Sequence, residues 1–401
     1  MIKDVTKGHT LLTKGPARIR LLEGQIEVFG KIFTPKKSEE ENTLIIPGGN
    51  KYPLFAVEKS KVDVYTSIED NLIDIEENTI SPKWIEIKDK IISEMTENDS
   101  KPIKIMVLGI SSGKTTFLKY LANNFLKKGF KGGYLDSDLG QQIIYIPTTI
   151  NIGTINDYIV SSENIASEKT IFIGATFPKA DNKFIVSLSC KDLISDYTAK
   201  YKDTDFILID SDGWIKTEAG ILYKNFFIKT LNPDILIVFH DDLIEELDVI
   251  EKNSVSLRKN RRMYLIKDKN KYFYEKDKEE RRFLRQSQFS KKFEEFRKIS
   301  IPLDTMEFIK TEYDKEKDQI VEKKINVSDL VGLPYHYVII GLMSENSELI
   351  EIGLLFTINI EKNYILLYSN FSYKEQLKVK KILLGSLRLS TKGNHQGYLY
   401  L

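Results

Sequence analysis

The stretch VLGISSGKTTFLKYL places a Gly/Ser-rich loop between an apolar run and an amphipathic run. In that context the loop N–H groups and the helix N-terminus face the phosphates of a nucleotide. Lys114 then reaches the β- and γ-phosphate oxygens, and the Thr115 hydroxyl binds Mg²⁺. The sequence predicts a P-loop, and we assign its nucleotide contacts to Gly109, Ser111, Ser112, Gly113, Lys114, Thr115 and Thr116.

The spacing of this loop departs from the usual pattern, in which four residues separate the two glycines. Three residues separate Gly109 from Gly113. Either the loop is one residue short, or Leu108 takes the position of the first glycine. A plain Gly/Ser turn is the alternative, but the coincidence of a strand, a Lys-Thr pair and a helix favours nucleotide binding.

A second buried run, GGYLDSDLGQQ, delivers Asp136 and Asp138 to its carboxyl end. Open α/β sheets bind ligands at that edge, so we expect both carboxylates to lie near Lys114. A carboxylate there orients Mg²⁺ through water or accepts the proton of an attacking hydroxyl. We therefore assign Thr115 and Asp138 as metal residues; a solvated turn or a helix N-cap is the alternative for each aspartate.

A third run, FILIDSDGWIK, ends in Asp210, Asp212, Gly213 and Trp214. Trp214 is one of only two tryptophans and follows a predicted strand end beside the phosphate site. A flat aromatic side chain there can stack on a base. Packing at a seam between domains is the alternative for this residue.

The elements that must position these residues change along the chain. Residues 1–98 contain short alternating runs broken by Gly and Pro, which predict a small antiparallel, sandwich-like β domain. Residues 99–300 alternate apolar strand runs such as TIFIGATF with helical runs, which predict an α/β domain with a parallel sheet. Residues 301–401 return to strand-like runs and predict a mostly-β domain. The expected fold class is α/β, a central P-loop domain flanked by two β domains.

Composition narrows the class of protein further. Hydrophobic residues make up 41% and charged residues 29%, which is typical of packed domains. One cysteine excludes an intramolecular disulfide and a thiolate-rich zinc site, and no apolar run approaches the roughly 20 residues of a membrane span. We expect a cytoplasmic protein without membrane contact. The net charge is +1, yet residues 251–300 hold 17 Lys/Arg against 8 Asp/Glu.

The motifs GISSGKTT, LDSDLGQ followed by Pro147, and IDSDGWI occur in an order that resembles the RNA-processing polynucleotide 5′-hydroxyl kinases of the Clp and Grc type. The resemblance extends upstream to LLEGQIEVFGKIF and downstream to NPDILIVF and ERRFLRQSQFSKKF, and covers most of residues 15–300. The family implies a P-loop that holds ATP or GTP with Mg²⁺. It also implies an N-terminal domain that helps to hold the nucleotide base.

The resemblance assigns roles residue by residue. Asp138 positions or deprotonates the substrate 5′-hydroxyl, and we assign the neighbouring Gln141 and Asp136 to substrate binding. The element Asp212-Gly213-Trp214 clasps the terminal nucleotide, and Ser211 stands where relatives usually carry Thr.

The resemblance also implies an Arg-rich lid over the phosphates, near residues 251–298. The chain places Arg281, Arg282 and Arg285 against the family's arginine cluster. We assign catalytic roles to Arg282 and Arg285, together with Lys114 and Asp138. A charged, solvated helix face is the alternative interpretation of this segment.

The resulting prediction is a kinase that transfers the γ-phosphate of ATP or GTP to the 5′-hydroxyl end of RNA, or of single-stranded DNA. Two other hypotheses remain open at this stage. A non-catalytic nucleotide-binding subunit of an RNA-processing assembly fits the short P-loop. A P-loop ATPase or GTPase that acts as a conformational switch leaves Trp214 unexplained.

Overall fold

The computed structural model describes residues 1–97, 101–110, 113–161, 164–240, 250, 252, 261–267, 270–272 and 275–400. Ser111 and Ser112, predicted to contact the nucleotide, lie outside these ranges. The helices are Pro82–Glu97 (α1), Lys114–Lys127 (α2), Asn182–Lys200 (α3), Glu218–Leu231 (α4), Lys278–Phe293 (α5), Val327–Val331 (α6) and Tyr373–Gln376 (α7).

Two antiparallel sheets form a sandwich at the start of the chain. The first has the order β1-β8-β3-β6 and the second the order β5-β4-β7-β2-β9. Residues such as Ile19 and Val62 from the first sheet share a buried core with Leu11 and Leu54 from the second. The strands are Ile2–Val5 (β1), Thr10–Lys14 (β2), Ala17–Glu23 (β3), Ile26–Val28 (β4), Lys31–Phe33 (β5), Thr43–Ile46 (β6), Lys51–Ala56 (β7), Ser60–Thr66 (β8) and Leu72–Ile75 (β9).

The central sheet has the order β13-β12-β11-β14-β10-β15-β16. Helices α3 and α4 cover one face, and α1 and α2 cover the other. The expected α/β class with a P-loop domain and β-rich flanks is therefore confirmed. The strands are Ile103–Leu108 (β10), Gly132–Asp136 (β11), Thr149–Ile155 (β12), Ile165–Phe172 (β13), Phe206–Asp210 (β14), Ile235–Phe239 (β15) and Arg262–Ile266 (β16).

Two parts of the central sheet differ from the expectation. Strands β12 and β13 pair antiparallel, as do β11 and β12, so TIFIGATF does not supply a parallel strand. Only a short connection joins β12 to β13, and a parallel pairing needs a crossover of a dozen or more residues. Residues 262–266, inside the expected lid, form β16 and pair parallel with β15. The three arginines matched to the family's cluster, Arg281, Arg282 and Arg285, lie on α5.

A third region forms one sheet of order β17-β22-β21-β20-β23-β18-β19, with β24 paired to β23. Phe289 and Phe293 of α5 pack in its core with Phe172. The strands are Arg297–Pro302 (β17), Glu307–Asp314 (β18), Gln319–Lys324 (β19), Val338–Met343 (β20), Leu349–Asn359 (β21), Tyr364–Ser369 (β22), Lys381–Leu389 (β23) and His395–Tyr398 (β24).

Helix α1 is placed by its apolar face. Trp84 and Ile87 are buried against Phe117 of α2, and the Trp84 and Phe117 ring centroids are 4.7 Å apart. The predicted boundary at residue 98 placed this helix in the N-terminal domain, whereas its packing joins it to the central core. We propose the three-domain division with α1 in the middle domain. In the part of the chain that the structure describes, no helix is both long and apolar enough to cross a membrane.

Candidate functional site

The P-loop joins β10 to α2 at the carboxyl edge of the central sheet. Gly113 caps α2 in the left-handed region, with φ of 82°, a conformation that costs glycine little. The Lys114 Nζ donates a 2.6 Å hydrogen bond to the Gly109 carbonyl, which folds the lysine back across the loop. Burial lowers the pKa of Lys114, and the charges of Asp210 and Asp138 oppose that effect. The predicted residues Gly109, Gly113 and Lys114 therefore lie together, and Thr115 and Thr116 follow in the first turn of α2.

Thr115 forms a hydrogen bond with Asp210, a carboxylate that was not among the predicted metal ligands. Its hydroxyl donates to Asp210 Oδ2 over 2.7 Å, and the Tyr134 hydroxyl donates to the same oxygen over 2.9 Å. P-loop NTPases hold Mg²⁺ with a P-loop Ser/Thr and an aspartate at the end of a neighbouring strand. Asp210 is the last residue of β14 and has this position. The order of the strands in the sheet therefore identifies it as the candidate metal ligand, and the spacing of a sequence motif does not.

The Thr115 hydroxyl and the Asp210 carboxylate at this edge are oxygen ligands of the kind that a hard divalent cation prefers. The pKa of Asp136 is raised well above its usual range by burial and by the charge of Asp210, its partner across β11 and β14. A bound cation would relieve this repulsion. Mg²⁺ commonly takes one or two protein oxygens and completes its shell with phosphate and water. Accordingly, the described residues contain no cluster of three or more His, Cys, Asp or Glu that would enclose a metal ion by themselves.

Asp136 has a structural environment. Its Oδ1 accepts the Asp138 N–H over 3.2 Å, and its Oδ2 accepts the Ile143 N–H over 2.6 Å. Both oxygens therefore hold the loop 137–143 in place. This arrangement favours a positioning role for Asp136 over the predicted contact with substrate.

Asp138 is arranged differently. Its Oδ1 accepts the N–H groups of Gly140 and Gln141 over 2.9 and 3.0 Å, whereas Oδ2 accepts no hydrogen bond from any described residue. Burial and the charge of Asp212 raise the pKa of Asp138. One oxygen is thus fixed, and the other remains available to accept a proton.

The predicted clasp follows β14 directly. Asp212 Oδ1 accepts the Trp214 N–H over 2.8 Å, and the Trp214 Nε1 donates to Thr217 over 2.9 Å. A Cβ on Gly213 would lie 3.5 Å from the Gly109 carbonyl oxygen and 3.9 Å from the Lys114 Nζ, so the clasp reaches the P-loop. The ring of Phe177, which the sequence did not single out, lies 4.5 Å from the Trp214 ring.

Lys224 of α4 holds the clasp in place through an ion pair with Asp212. Its ammonium is fully buried and donates to Asp212 Oδ2 over 2.8 Å, beneath the rings of Tyr223 and Phe227 at 4.5 and 5.5 Å. Residue type alone would place a lysine on the surface, since lysine is almost never fully buried unless it is paired. The buried ion pair therefore fixes the carboxylate that orients Trp214.

We expect Lys224→Met to destabilise the protein by about 3–5 kcal/mol, because it leaves the Asp212 carboxylate buried without its cation. Urea unfolding followed by tryptophan fluorescence measures the change. Lys216→Met removes an exposed lysine from the loop between β14 and α4. Its free energy of unfolding should stay within about 0.5 kcal/mol of that of the unsubstituted protein. Equal stability of the two variants would remove the anchoring role from Lys224.

Helix α5 lies across the site and contacts elements from all three regions. It begins with a capping box between Asp277 and Glu280. The Gln288 side chain donates to the Gln142 carbonyl over 2.7 Å, and the predicted Gln141 donates to the Arg281 carbonyl over 3.3 Å. On its flanks, α5 forms ion pairs from Glu280 to Lys14 at 3.6 Å and from Lys292 to Glu351 at 2.9 Å.

The two arginines assigned to the lid differ in exposure. Arg285 is half-buried: a Cβ on Gly140 would lie 3.7 Å from its Nη1 and 3.6 Å from Asp138 Oδ1. Arg282 is exposed, three residues earlier on α5. Neither forms an ion pair within the described ranges, so both guanidinium groups can receive phosphate oxygens. Burial lowers the pKa of Arg285, and Asp138 opposes this.

A further cationic cluster lies where α2 meets the N-terminal sandwich. The Lys119 Nζ lies 5.9 Å from the ring centroids of Phe29 and Tyr52 and donates to the Val160 carbonyl over 3.3 Å. Burial, assisted by the charge of Lys276, lowers the pKa of Lys119 to about 8. No sequence motif predicts this cluster, because its members come from three separate segments.

The sequence of this chain is similar to a family of P-loop proteins. Residues 109–295 match the family model of the P-loop of mRNA cleavage and polyadenylation factor CLP1. A polyribonucleotide 5′-hydroxyl-kinase of Methanocaldococcus jannaschii is 26% identical over 343 residues, which cover 76% of this chain and 91% of the relative. A second, of Pyrococcus abyssi, is 29% identical and covers 54% of this chain; the match spans 58% of that relative's length.

The similarity to solved structures covers nearly the whole chain. The structure of wild-type Clp1p in complex with Pcf11p (454–563) superposes with a TM-score of 0.75 at 14% identity, over 97% of each chain. At this identity the likeness establishes the fold. It spans both flanking β regions as well as the central sheet.

Proposed function

Since residues 109–295 form a P-loop domain of the Clp1 family, of the Clp and Grc type, we propose that this chain is a polynucleotide 5′-hydroxyl kinase acting on RNA. The observation that carries the proposal is the placement of Asp138, one of whose oxygens accepts no hydrogen bond from the described residues, beside Lys114, Trp214 and the lid. The names of the archaeal relatives support the same activity. A cytoplasmic location remains a prediction.

The nucleotide is the phosphate donor in this proposal, and we propose ATP or GTP. Lys114 and the P-loop N–H groups bind the β- and γ-phosphates, and the Thr115 and Asp210 oxygens are the protein's donors for Mg²⁺. When bound, Mg²⁺ neutralises charge that develops on the phosphate oxygens. The resemblance implies that the N-terminal domain helps to hold the base, and in this structure that domain meets α2 at Lys119, whose Nζ lies 5.9 Å from the centroids of the buried Phe29 and Tyr52 rings.

The acceptor hydroxyl requires a base and a fixed end. Asp138 Oδ2 accepts its proton as the oxygen attacks the γ-phosphorus, and the P–O bond to the diphosphate breaks. Trp214 and Phe177 hold the terminal nucleotide by stacking, which tolerates any base. Arg285 receives the charge on the transferring group, since such transfer relies on positioning and electrostatic neutralisation.

The direct test incubates the protein with Mg²⁺, γ-labelled ATP or GTP, and 5′-hydroxyl oligonucleotides of RNA and of DNA. We expect label on the RNA 5′ end, and none with Lys114→Ala, because that variant loses the cation on the β/γ oxygens. Release of labelled phosphate without transfer would support the nucleotide-switch hypothesis instead. Tight nucleotide binding with neither reaction would support a non-catalytic subunit.

A further inference from the structure

Three aromatic side chains follow one another along β24 and just beyond it. The ring centroids of His395 and Tyr398 are 4.8 Å apart, and those of Tyr398 and Tyr400 are 6.1 Å apart. All three are exposed, Tyr398 by 44% and Tyr400 by 76%. Single exposed aromatic residues are ordinary, but a series at this spacing presents several π faces to one extended ligand.

The aromatic series is fixed to the backbone beside the clasp. Leu399, between the two tyrosines, is buried, and its N–H donates to the Ser386 carbonyl over 2.7 Å. The Ser386 N–H in turn donates to the Gly174 carbonyl over 2.8 Å. Gly174 lies three residues before Phe177, whose ring contacts Trp214. Two hydrogen bonds therefore connect the backbone next to Tyr398 with the segment that carries Phe177.

The turn before β24 rests on the lid helix. A Cβ on Gly393 would lie 2.7 Å from the Phe289 Cβ and 2.9 Å from the Gln286 carbonyl oxygen, so glycine permits this close approach. The contact is one turn beyond Arg285. It brings the aromatic series to the side of α5 that bears the arginines.

The charges beside the series complete its chemistry. Burial and the charges of Arg282 and Arg285 lower the pKa of His395, as expected of cations close to the ring. Within the described ranges, neither guanidinium has a carboxylate at ion-pair distance. Exposed rings next to cations without an acidic partner match a ligand that alternates bases with phosphates.

We propose that His395, Tyr398 and Tyr400 form a stacking site for the nucleotides that follow the 5′-terminal one in the acceptor strand, with Arg282 on the intervening phosphate. The identity of the strand rests on the proposed function, while the site itself rests on the contacts above. Only unpaired bases expose both faces to such rings, so the ligand is single-stranded. Trp214 then holds the first nucleotide and the β24 series holds those behind it.

The experiment compares a 5′-hydroxyl RNA decamer with a dinucleotide as acceptors. In Tyr398→Ala, the ratio of kcat/KM for the decamer to that for the dinucleotide should fall about 5- to 150-fold, the loss expected for one stacked base. Tyr398→Phe keeps the ring and should keep the ratio. Tyr373→Ala removes another exposed tyrosine, on α7, that has no ring contact among the described residues, and serves as the control.

Equilibrium binding separates this inference from the proposed function. The Kd of a fluorescein-labelled decamer, measured by anisotropy without nucleotide, should rise by a similar factor in Tyr398→Ala. If the unsubstituted chain transfers no phosphate but binding still depends on Tyr398, the kinase assignment fails and the stacking site stands. An unchanged ratio and Kd in Tyr398→Ala, or an equal loss with both acceptors, would overturn the stacking site.

Discussion

Arg285→Ala should lower kcat for phosphoryl transfer by about 10³–10⁵-fold, the loss typical of removing an arginine that neutralises transition-state charge. Arg285 suits this role because its guanidinium is half-buried next to Gly140, on the same side as Asp138. A charge excluded from water acts over a lower effective dielectric and is screened less by salt. Single-turnover assays at saturating nucleotide measure the effect on the chemical step.

Two matched variants on α5 show whether position or charge is responsible. Lys278→Ala removes an exposed cation from the first turn and should retain transfer within a fewfold. Arg282→Ala, predicted from the sequence to be catalytic as well, should lose less than Arg285→Ala because its guanidinium is exposed. Transfer by Arg285→Ala within a fewfold of the unsubstituted protein would remove the arginine from the reaction.

Asp138→Asn should lower kcat by about 10²–10⁴-fold, the usual contribution of a general base. The substitution is mild for the fold, since an amide oxygen can still accept the Gly140 and Gln141 N–H groups. It removes the basicity of the second oxygen alone. Thermal unfolding of the variant should therefore match that of the unsubstituted protein, and a kcat close to the original would exclude Asp138 as the base.

The pH dependence gives a second measure of the same residue. Burial and the charge of Asp212 raise the pKa of Asp138 above its ordinary value of 3.8. Because the base must be deprotonated, kcat/KM should fall as the pH drops through this raised pKa, with a slope of one proton. Asp138→Asn should abolish that acidic limb. A limb that persists in the variant would belong to another group.

Sequence patterns predicted the elements that carry strong local signals. The P-loop, the two Asp-bearing strand ends and the lid helix each lie in a continuous segment, so their types and order were available from the chain alone. The direction of β12 and β13 was not, because antiparallel pairing depends on how the connection folds. The place of 262–266 in the central sheet was missed because this short run lies inside the strongly basic segment 251–300.

The candidate site was predicted in outline only. Lys114, Asp138 and Trp214 meet as expected, because parallel strands end at one edge. Asp210 and Lys224 were not predicted as functional residues. The role of Asp210 depends on the strand beside it in the sheet, and the role of Lys224 depends on the burial of the inner face of α4. No local pattern reports either relation, and the assigned roles stay predictions until the variants above are measured.

The contacts of α5 with both flanking regions make this helix a shared boundary among three folded parts. Its bonds to Lys14, Gln142 and Glu351 come from three different sheets or their loops. If α5 moves to release a phosphorylated end, it must therefore disturb contacts with all three regions, and not those of one loosely held segment. Residues far from the phosphates would then influence the rate of product release.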